Sequence, residues 1–171
     1  MTASRHIAIV GAGMAAVTCA RTLVQAGHRV TVFEKSHTVG GRMATRNSPF
    51  GTFDTGAQYF TVRDPRFMQA MQTTPAVGKR WSANTVQVLD AHGRVAAAGL
   101  PAREPHWVPS PGMSTLVRRW AQPLVAAQCL ELSTQVTHIE RDTLNKAQWQ
   151  LRTKGTGDST HVYGGFDAVV L

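Results

Sequence analysis

Four strand-compatible residues, Ile7-Ala8-Ile9-Val10, run straight into Gly11-Ala12-Gly13-Met14-Ala15-Ala16. No other stretch restricts the fold as much. It is a G-x-G-x-x-A pattern, in which a strand turns at once into a helix. Gly11 permits the tight turn, Gly13 lets a pyrophosphate approach the backbone, and the small residue Ala16 lets helix and strand pack closely. The helix start, with Ala15 in its first turn, presents free N–H groups and partial positive charge to phosphates. Apolar and small residues continue with helical spacing to Leu23 and Val24, and Gly27 is placed to stop the helix. The short β-branched run Arg29–Phe33 follows. Strand, glycine turn, helix and strand within about 30 residues predict a βαβ unit on a parallel sheet. Glu34, after the second strand, has the roughly 20-residue spacing of a carboxylate that grips a ribose hydroxyl. The reading is α/β, a Rossmann-type dinucleotide-binding fold.

The rest of the composition narrows the class. The chain has 171 residues, 43 % of them apolar, enough for one packed domain. No apolar run approaches the ~18 residues of a membrane span, so no membrane partner is expected. The net charge of +8 favours anionic partners. The arginines are scattered rather than blocked, which argues against nucleic acid and for a phosphate-bearing ligand. Cys19 and Cys129 form neither a disulfide framework nor a metal pair and read as apolar fillers in a reduced, cytoplasmic compartment. No Cys/His cluster has metal-ligand spacing.

Further along, Phe50–Asp64 reads as turns and irregular backbone. Asp64-Pro65 predicts the N-cap and first position of a short helix. Ser82–Gly99 reads as a hairpin turning at Asp90–Gly93. Pro111–Leu124 reads as a second long helix, stopped near Pro123. Strands are expected in Cys129–Asp142, Ala147–Thr153 and Phe166–Leu171. The closing run Ala168-Val169-Val170-Leu171 rises in hydrophobicity with no cap or polar tail, and is expected to continue into further chain.

Between the acid and the hairpin stands Thr38-Val39-Gly40-Gly41-Arg42-Met43-Ala44-Thr45-Arg46, a glycine pair with two cations. Glycine lets backbone pass close to a ligand, and a guanidinium meets phosphate through two donors. Together with "FDTGAQYFTVRDPRF" and "WVPSPGMSTL", this run closely resembles the N-terminal half of bacterial renalase-like FAD-dependent oxidoreductases, within the wider amine-oxidase-like flavoprotein superfamily. The resemblance covers nearly the whole chain. It implies FAD as cofactor, with Arg42 after Gly41 against the pyrophosphate, Ala15 beside the phosphates, and Glu34 with Lys35 at the adenosine ribose. It also implies Gln58 and Tyr59 beside the flavin and the Val136 backbone at the adenine. The segment Tyr59-Phe60-Thr61-Val62-Arg63 matches the family's substrate-lining run.

The resemblance implies hydride transfer from a dihydronicotinamide nucleotide, an isomer of NAD(P)H, to the flavin, with oxygen as acceptor giving hydrogen peroxide. It implies a division into FAD-binding segments at 1–64 and 112–171 and a substrate-side portion at 65–111. An amine oxidase or desaturase of the same superfamily is the nearest alternative, and a non-catalytic FAD-binding fragment another. A plain NAD(P) dehydrogenase leaves Arg42 without a role. No catalytic acid–base pair stands out, as expected where the cofactor carries the redox chemistry. None of the histidines is assigned a role; Arg46 is left open between a solvent-facing and a substrate-steering one.

Overall fold

The computed structural model describes residues 3–82, 87–97 and 104–171. In chain order the elements are β1 (His6–Val10), α1 (Met14–Gln25), β2 (Arg29–Phe33), β3 (Thr45–Ser48), β4 (Gly51–Asp54), β5 (Phe60–Thr61), α2 (Pro65–Gln72) and β6 (Gly78–Arg80). There follow β7 (Val88–Leu89), β8 (Val95–Ala97), β9 (His106–Pro109), α3 (Ser114–Ala126), β10 (Leu130–Glu131), β11 (Gln135–Arg141), β12 (Trp149–Lys154), β13 (Thr160–Phe166) and β14 (Ala168–Val170).

The expected α/β Rossmann-type unit is present. A parallel sheet runs β10-β2-β1-β14, with Ile7 opposite Val30 on one side and Ala168 on the other. Strands covered on both faces must be apolar in consecutive positions, which is how Ile7-Ala8-Ile9 reads. Ile7, Ile9, Val30 and Val32 face one core with Val17 and Ala20 of α1 and Leu116, Val117, Trp120, Ala121 and Leu124 of α3. Ala8 and Phe33 face the other, with Leu151 and Phe166. That second layer is an antiparallel sheet, β11-β12-β13. Tyr163 and Phe166 set their rings edge-on to Phe33 at 4.9 and 6.0 Å, a favourable aromatic geometry.

Helix α1 closes as its sequence demands. Gly27 has φ +84°, its N–H donates to the Val24 carbonyl and that of His28 to Leu23, a Schellman closure. Helix α2 starts at Pro65, with the Asp64 carboxylate accepting the Arg66 N–H at 2.8 Å. It is tied to β5 and α3 by edge-on rings, Phe60 to Phe67 at 5.7 Å and Phe67 to Trp120 at 5.8 Å. The short sheet β5-β9-β6 continues this side of the molecule.

Three expectations need correction. Helix α3 does not stop near Pro123 but contains it and runs to Ala126. The proline lies in the last turns, so its missing N–H deprives only the Arg119 carbonyl, on an exposed residue. The helix ends in its own Schellman closure, with Gln128 at φ +53° and the Cys129 N–H donating to Leu124. The stretch from Phe50 is not irregular throughout, since β3 and β4 form a hairpin pairing Arg46 with Phe53. Strand β13 was not anticipated as a separate strand at all; Gly164 and Gly165 mask its pattern, and Gly165 has φ +77°. Of the predicted hairpin at 82–99, the described part, β7 and β8 with their turn at Asp90–Gly93, has the expected form; residues 83–86 and 98–99 lie outside the described residues.

Candidate dinucleotide cleft

The turn between β1 and α1 does what its glycines allow. Gly11 has φ +97°, and its N–H donates to the Phe33 carbonyl at 2.7 Å. A Cβ at Gly11 would meet nothing within 4 Å, so the need there is conformational and the space in front stays open. Gly13 caps α1 with no side chain bonded across the helix start and no acid in the first turn. The first N–H groups of α1 therefore face a cavity of about 650 Å³, lined among others by Gly11, Gly13, Met14, Ala15, Ala16, Gly40 and Arg42.

The glycine-arginine run reaches this cavity by direct backbone contact. Gly40 bridges to Gly13, and its N–H donates to the Ala12 carbonyl at 3.0 Å. Gly40 and Gly41 have φ +143° and +55°. A Cβ on Gly41 would sit 3.1 Å from the Gly13 Cα. The pair thus lets two loops touch, and the short turn Gly41–Met43 presents Arg42 to the cavity. The Arg42 guanidinium is exposed and has no protein partner among the described residues.

Glu34 is buried, 6 % exposed, in spite of its charge. One carboxylate oxygen accepts the Ala12 N–H at 2.7 Å and the other the Ser36 N–H at 2.8 Å. The side chain ties the end of β2 to the glycine turn, and each oxygen keeps a lone pair for a further donor. Beside it lies a second cavity of about 250 Å³, with Lys35 and Val136 in its wall, sharing Val10 and Gly11 with the first. The structure so brings together Gly11, Gly13, Ala15, Ala16, Arg42, Glu34, Lys35 and Val136 along two adjoining cavities; Gly41 lines neither and packs on Gly13.

Gln58 and Tyr59 line neither cavity. Tyr59 stacks on His106 at 4.1 Å and on Trp81 at 5.7 Å. Phe60 and Val62 pack against the main core, and Thr61 pairs with His106 in the β5–β9 ladder. Arg63 is exposed and pairs with Glu104 at 3.0 Å, while Asp64 takes Arg66 instead.

Two supporting residues went unnoticed in the sequence. Gly56 lies so close under Arg42 that a Cβ there would run into the Arg42 carbonyl, which also accepts the Ala57 N–H at 2.8 Å. Asp54 accepts from Thr45 Oγ1 at 2.6 Å and from the Met113 N–H at 2.8 Å, and Thr45 Oγ1 accepts the Ser114 N–H at 2.9 Å. The start of α3 is thus latched to the β3–β4 hairpin that follows Arg42. The acid after a strand was visible as a letter, but its contact spans 59 positions.

Residues 9–74 match the model of an NAD(P)-binding Rossmann-like domain. An L-amino-acid oxidase of Siganus canaliculatus is 50 % identical over 56 residues, 32 % of this chain and 11 % of that protein. A 4,4'-diapophytoene desaturase (4,4'-diaponeurosporene-forming) of Staphylococcus haemolyticus is 45 % identical over 58 residues, 34 % of this chain and 12 % of that protein. Over these residues the chain is similar to the Rossmann domain of the FAD-dependent amine oxidase and desaturase superfamily. Its fold extends the likeness along the whole chain. A CLA-producing fatty acid isomerase from P. acnes superposes with a TM-score of 0.69 at 14 % identity, covering 99 % of this chain and 59 % of that one. Putrescine oxidase bound to putrescine gives 0.67 at 13 %, covering 98 % and 58 %. The chain spans little more than half of these structures, and its matches span about a tenth of the curated relatives.

The superfamily's cofactor is FAD, and the Rossmann domain's residues fit it. An uncapped helix start, glycines that leave the space before them open, an unpartnered guanidinium and a carboxylate with spare acceptor capacity are what a diphosphate and a ribose need.

Proposed function

We propose that this chain is the FAD-binding part of a renalase-like oxidoreductase whose substrate is a dihydronicotinamide nucleotide. The observation that carries the cofactor half of the reading is the contact of Gly41 on Gly13, which presents Arg42 to the same cavity as the first turn of α1. In this reading Gly11, Gly13, Ala15, Ala16 and Arg42 hold the diphosphate. Glu34 and Lys35 hold the adenosine ribose, and the Val136 backbone meets the adenine. Gln58 and Tyr59 border the flavin. The flavin, when bound, supplies a two-electron acceptor for the dihydronicotinamide, with oxygen reoxidising it to give hydrogen peroxide.

The chain's own part is to bind and orient. Tyr59 offers a flat aromatic face, already stacked with His106, to a planar ring. Arg63, exposed beside it in sequence, offers a cation to a substrate phosphate, in exchange with Glu104. Phe60, Thr61 and Val62 fix the segment by packing and strand pairing. Segments 1–64 and 112–171 form the cofactor side and 65–111 the substrate side. We assign the protein to the cytoplasm on its two free cysteines.

Anaerobic flavin reduction separates the readings. Bleaching by isomeric dihydronicotinamide nucleotides, with none by amines or amino acids, is the expected result. Reduction by amines or amino acids alone transfers the chain to the second reading, an amine oxidase or desaturase, which the local identity to an L-amino-acid oxidase and a desaturase favours. Purified chain that takes up no flavin, seen as no absorbance near the flavin bands, overturns the cofactor assignment. A yellow chain without turnover on either substrate class is the outcome for a non-catalytic FAD-binding fragment.

A further inference from the structure

Beyond the adenosine side of the cleft, past Lys35, lies a separate recess of about 550 Å³. Its wall holds, among the described residues, Lys35, His37, Arg46 and Lys154 and no aspartate or glutamate; Lys154 has a partner of its own. Among the described residues, Lys35, His37 and Arg46 make no ion pair or side-chain hydrogen bond. Three exposed arginines elsewhere, Arg63, Arg66 and Arg152, pair with carboxylates.

The cations come from different elements, and backbone bonds hold those elements in place. Arg46 stands on β3, paired with Phe53 of β4. The turn carrying Lys35 and His37 is fixed by the Ser133 N–H donating to Ser36 at 2.9 Å and the Thr134 N–H donating to Glu34 at 2.8 Å. Lys154 lies opposite Gln135 in the β11–β12 ladder, next to Gly155, whose N–H donates to Ser159 at 2.8 Å. The like charges of Lys35 and Arg46, held on fixed backbone, repel one another. An anion entering the recess relieves that repulsion, and the space is of the size that takes a small molecule.

We propose that this recess binds the phosphomonoester of a small phosphorylated molecule, distinct from the dinucleotide of the neighbouring cleft. Lys35 and Arg46, two cations without ion-pair partners among the described residues, favour a dianion over a single carboxylate, and the Arg46 guanidinium can meet two phosphoryl oxygens at once. Neither the diphosphate nor the ribose in the proposed function uses Arg46 or His37.

The test is a titration of the full chain, isotopically labelled, with inorganic pyrophosphate, followed through backbone amide resonances. Saturable shifts at Ser36, Arg46 and Gly155 are expected. Arg46→Gln should weaken binding at these three residues by about tenfold, while Arg118→Gln leaves it unchanged. Shifts confined to Gly11–Ala16 and removed by Arg42→Gln would overturn the proposal, because the probe would then occupy the dinucleotide cleft. So would shifts that never saturate and weaken equally in Arg46→Gln and Arg118→Gln, the sign of diffuse charge, or no shift at all. Tighter binding of an acidic peptide than of pyrophosphate overturns the choice of a small molecule. The dispersion of each variant's spectrum reports folding, so loss of binding is separated from loss of structure. Flavin uptake is read independently by absorbance, so a chain that binds pyrophosphate at Arg46 but takes no flavin refutes only the cofactor assignment.

Discussion

Glu34 couples two tasks in one side chain. Its oxygens hold the Ala12 and Ser36 amides, and the residue lines the neighbouring cavity. Glu34→Gln puts an NH2 group against one of those amides. A buried donor left unpaired costs about 1–3 kcal/mol, so the variant should unfold at lower denaturant, as followed by circular dichroism. Gly41→Ala meets a different obstacle. At φ +55° a side chain costs about 1–2 kcal/mol, and its Cβ presses on the Gly13 backbone. We expect lower stability together with weaker FAD affinity, read by quenching of flavin fluorescence. Gly56→Ala should move the Arg42 carbonyl and weaken FAD by about tenfold or more, although Gly56 lines neither cavity. The difference between these glycines explains what the sequence could and could not reveal. Gly40-Gly41 is followed by a cation that no regular element requires, and so reads as a ligand turn. The constraint on Gly56 arises from a carbonyl fourteen positions earlier, brought there only by folding.

Among the elements, those with one buried face were legible and those without were not. The strands β1 and β2 and helix α1 announce themselves by consecutive apolar residues, glycine stops and a 3.6-residue period. The β3–β4 hairpin has nearly every position exposed or half-buried, so no alternation marks it. It is held by a polar latch to α3 through Thr45 and Asp54. Asp54→Ala should therefore cost about 1–3 kcal/mol and fray both the hairpin and the start of α3, visible as faster amide exchange at Met113 and Ser114. Gly112→Ala should loosen the same latch, since its Cβ would come within 2.7 Å of Thr45 Cγ2. The start of α2 behaves differently, because its Asp64 cap was written in the Asp-Pro pair itself. The Arg66 side chain, and then its backbone N–H, hold the Asp64 carboxyl down at about 2. A depressed carboxylate contributes fully above its ordinary value of 3.8, and the contribution is lost as pH falls toward about 2. The Arg66 amide resonance should titrate in that lower range.

At the scale of the whole molecule, His6 gathers three parts of the chain. Its Nδ1 accepts from Arg29 at 2.6 Å, and since arginine only donates, the ring proton sits on Nε2, 3.0 Å from Thr31 Oγ1. The ring lies 4.3 Å from that of Phe166, and the His6 N–H donates to the Asp167 carboxylate at 2.8 Å. Burial, and after it the charge of Arg29, push this histidine below its ordinary value of 6.5. A depressed base favours the neutral ring in the folded state. Its stabilisation is complete above 6.5 and falls away as pH drops through that value toward the folded one. Thermal stability should therefore decline as pH falls below 6.5, and His6→Gln should flatten that decline. The partners of His6 also set the order in which the molecule can be completed. The bond from His6 to Asp167 spans 161 positions, and β14 closes one side of β1 at the same place. On a ribosome adding about 5–20 residues per second, roughly 8–30 seconds pass between the emergence of the two. For all that time the glycine turn, α1 and β2 can assemble, while one edge of the central strand stays open to pair with whatever else is being made nearby.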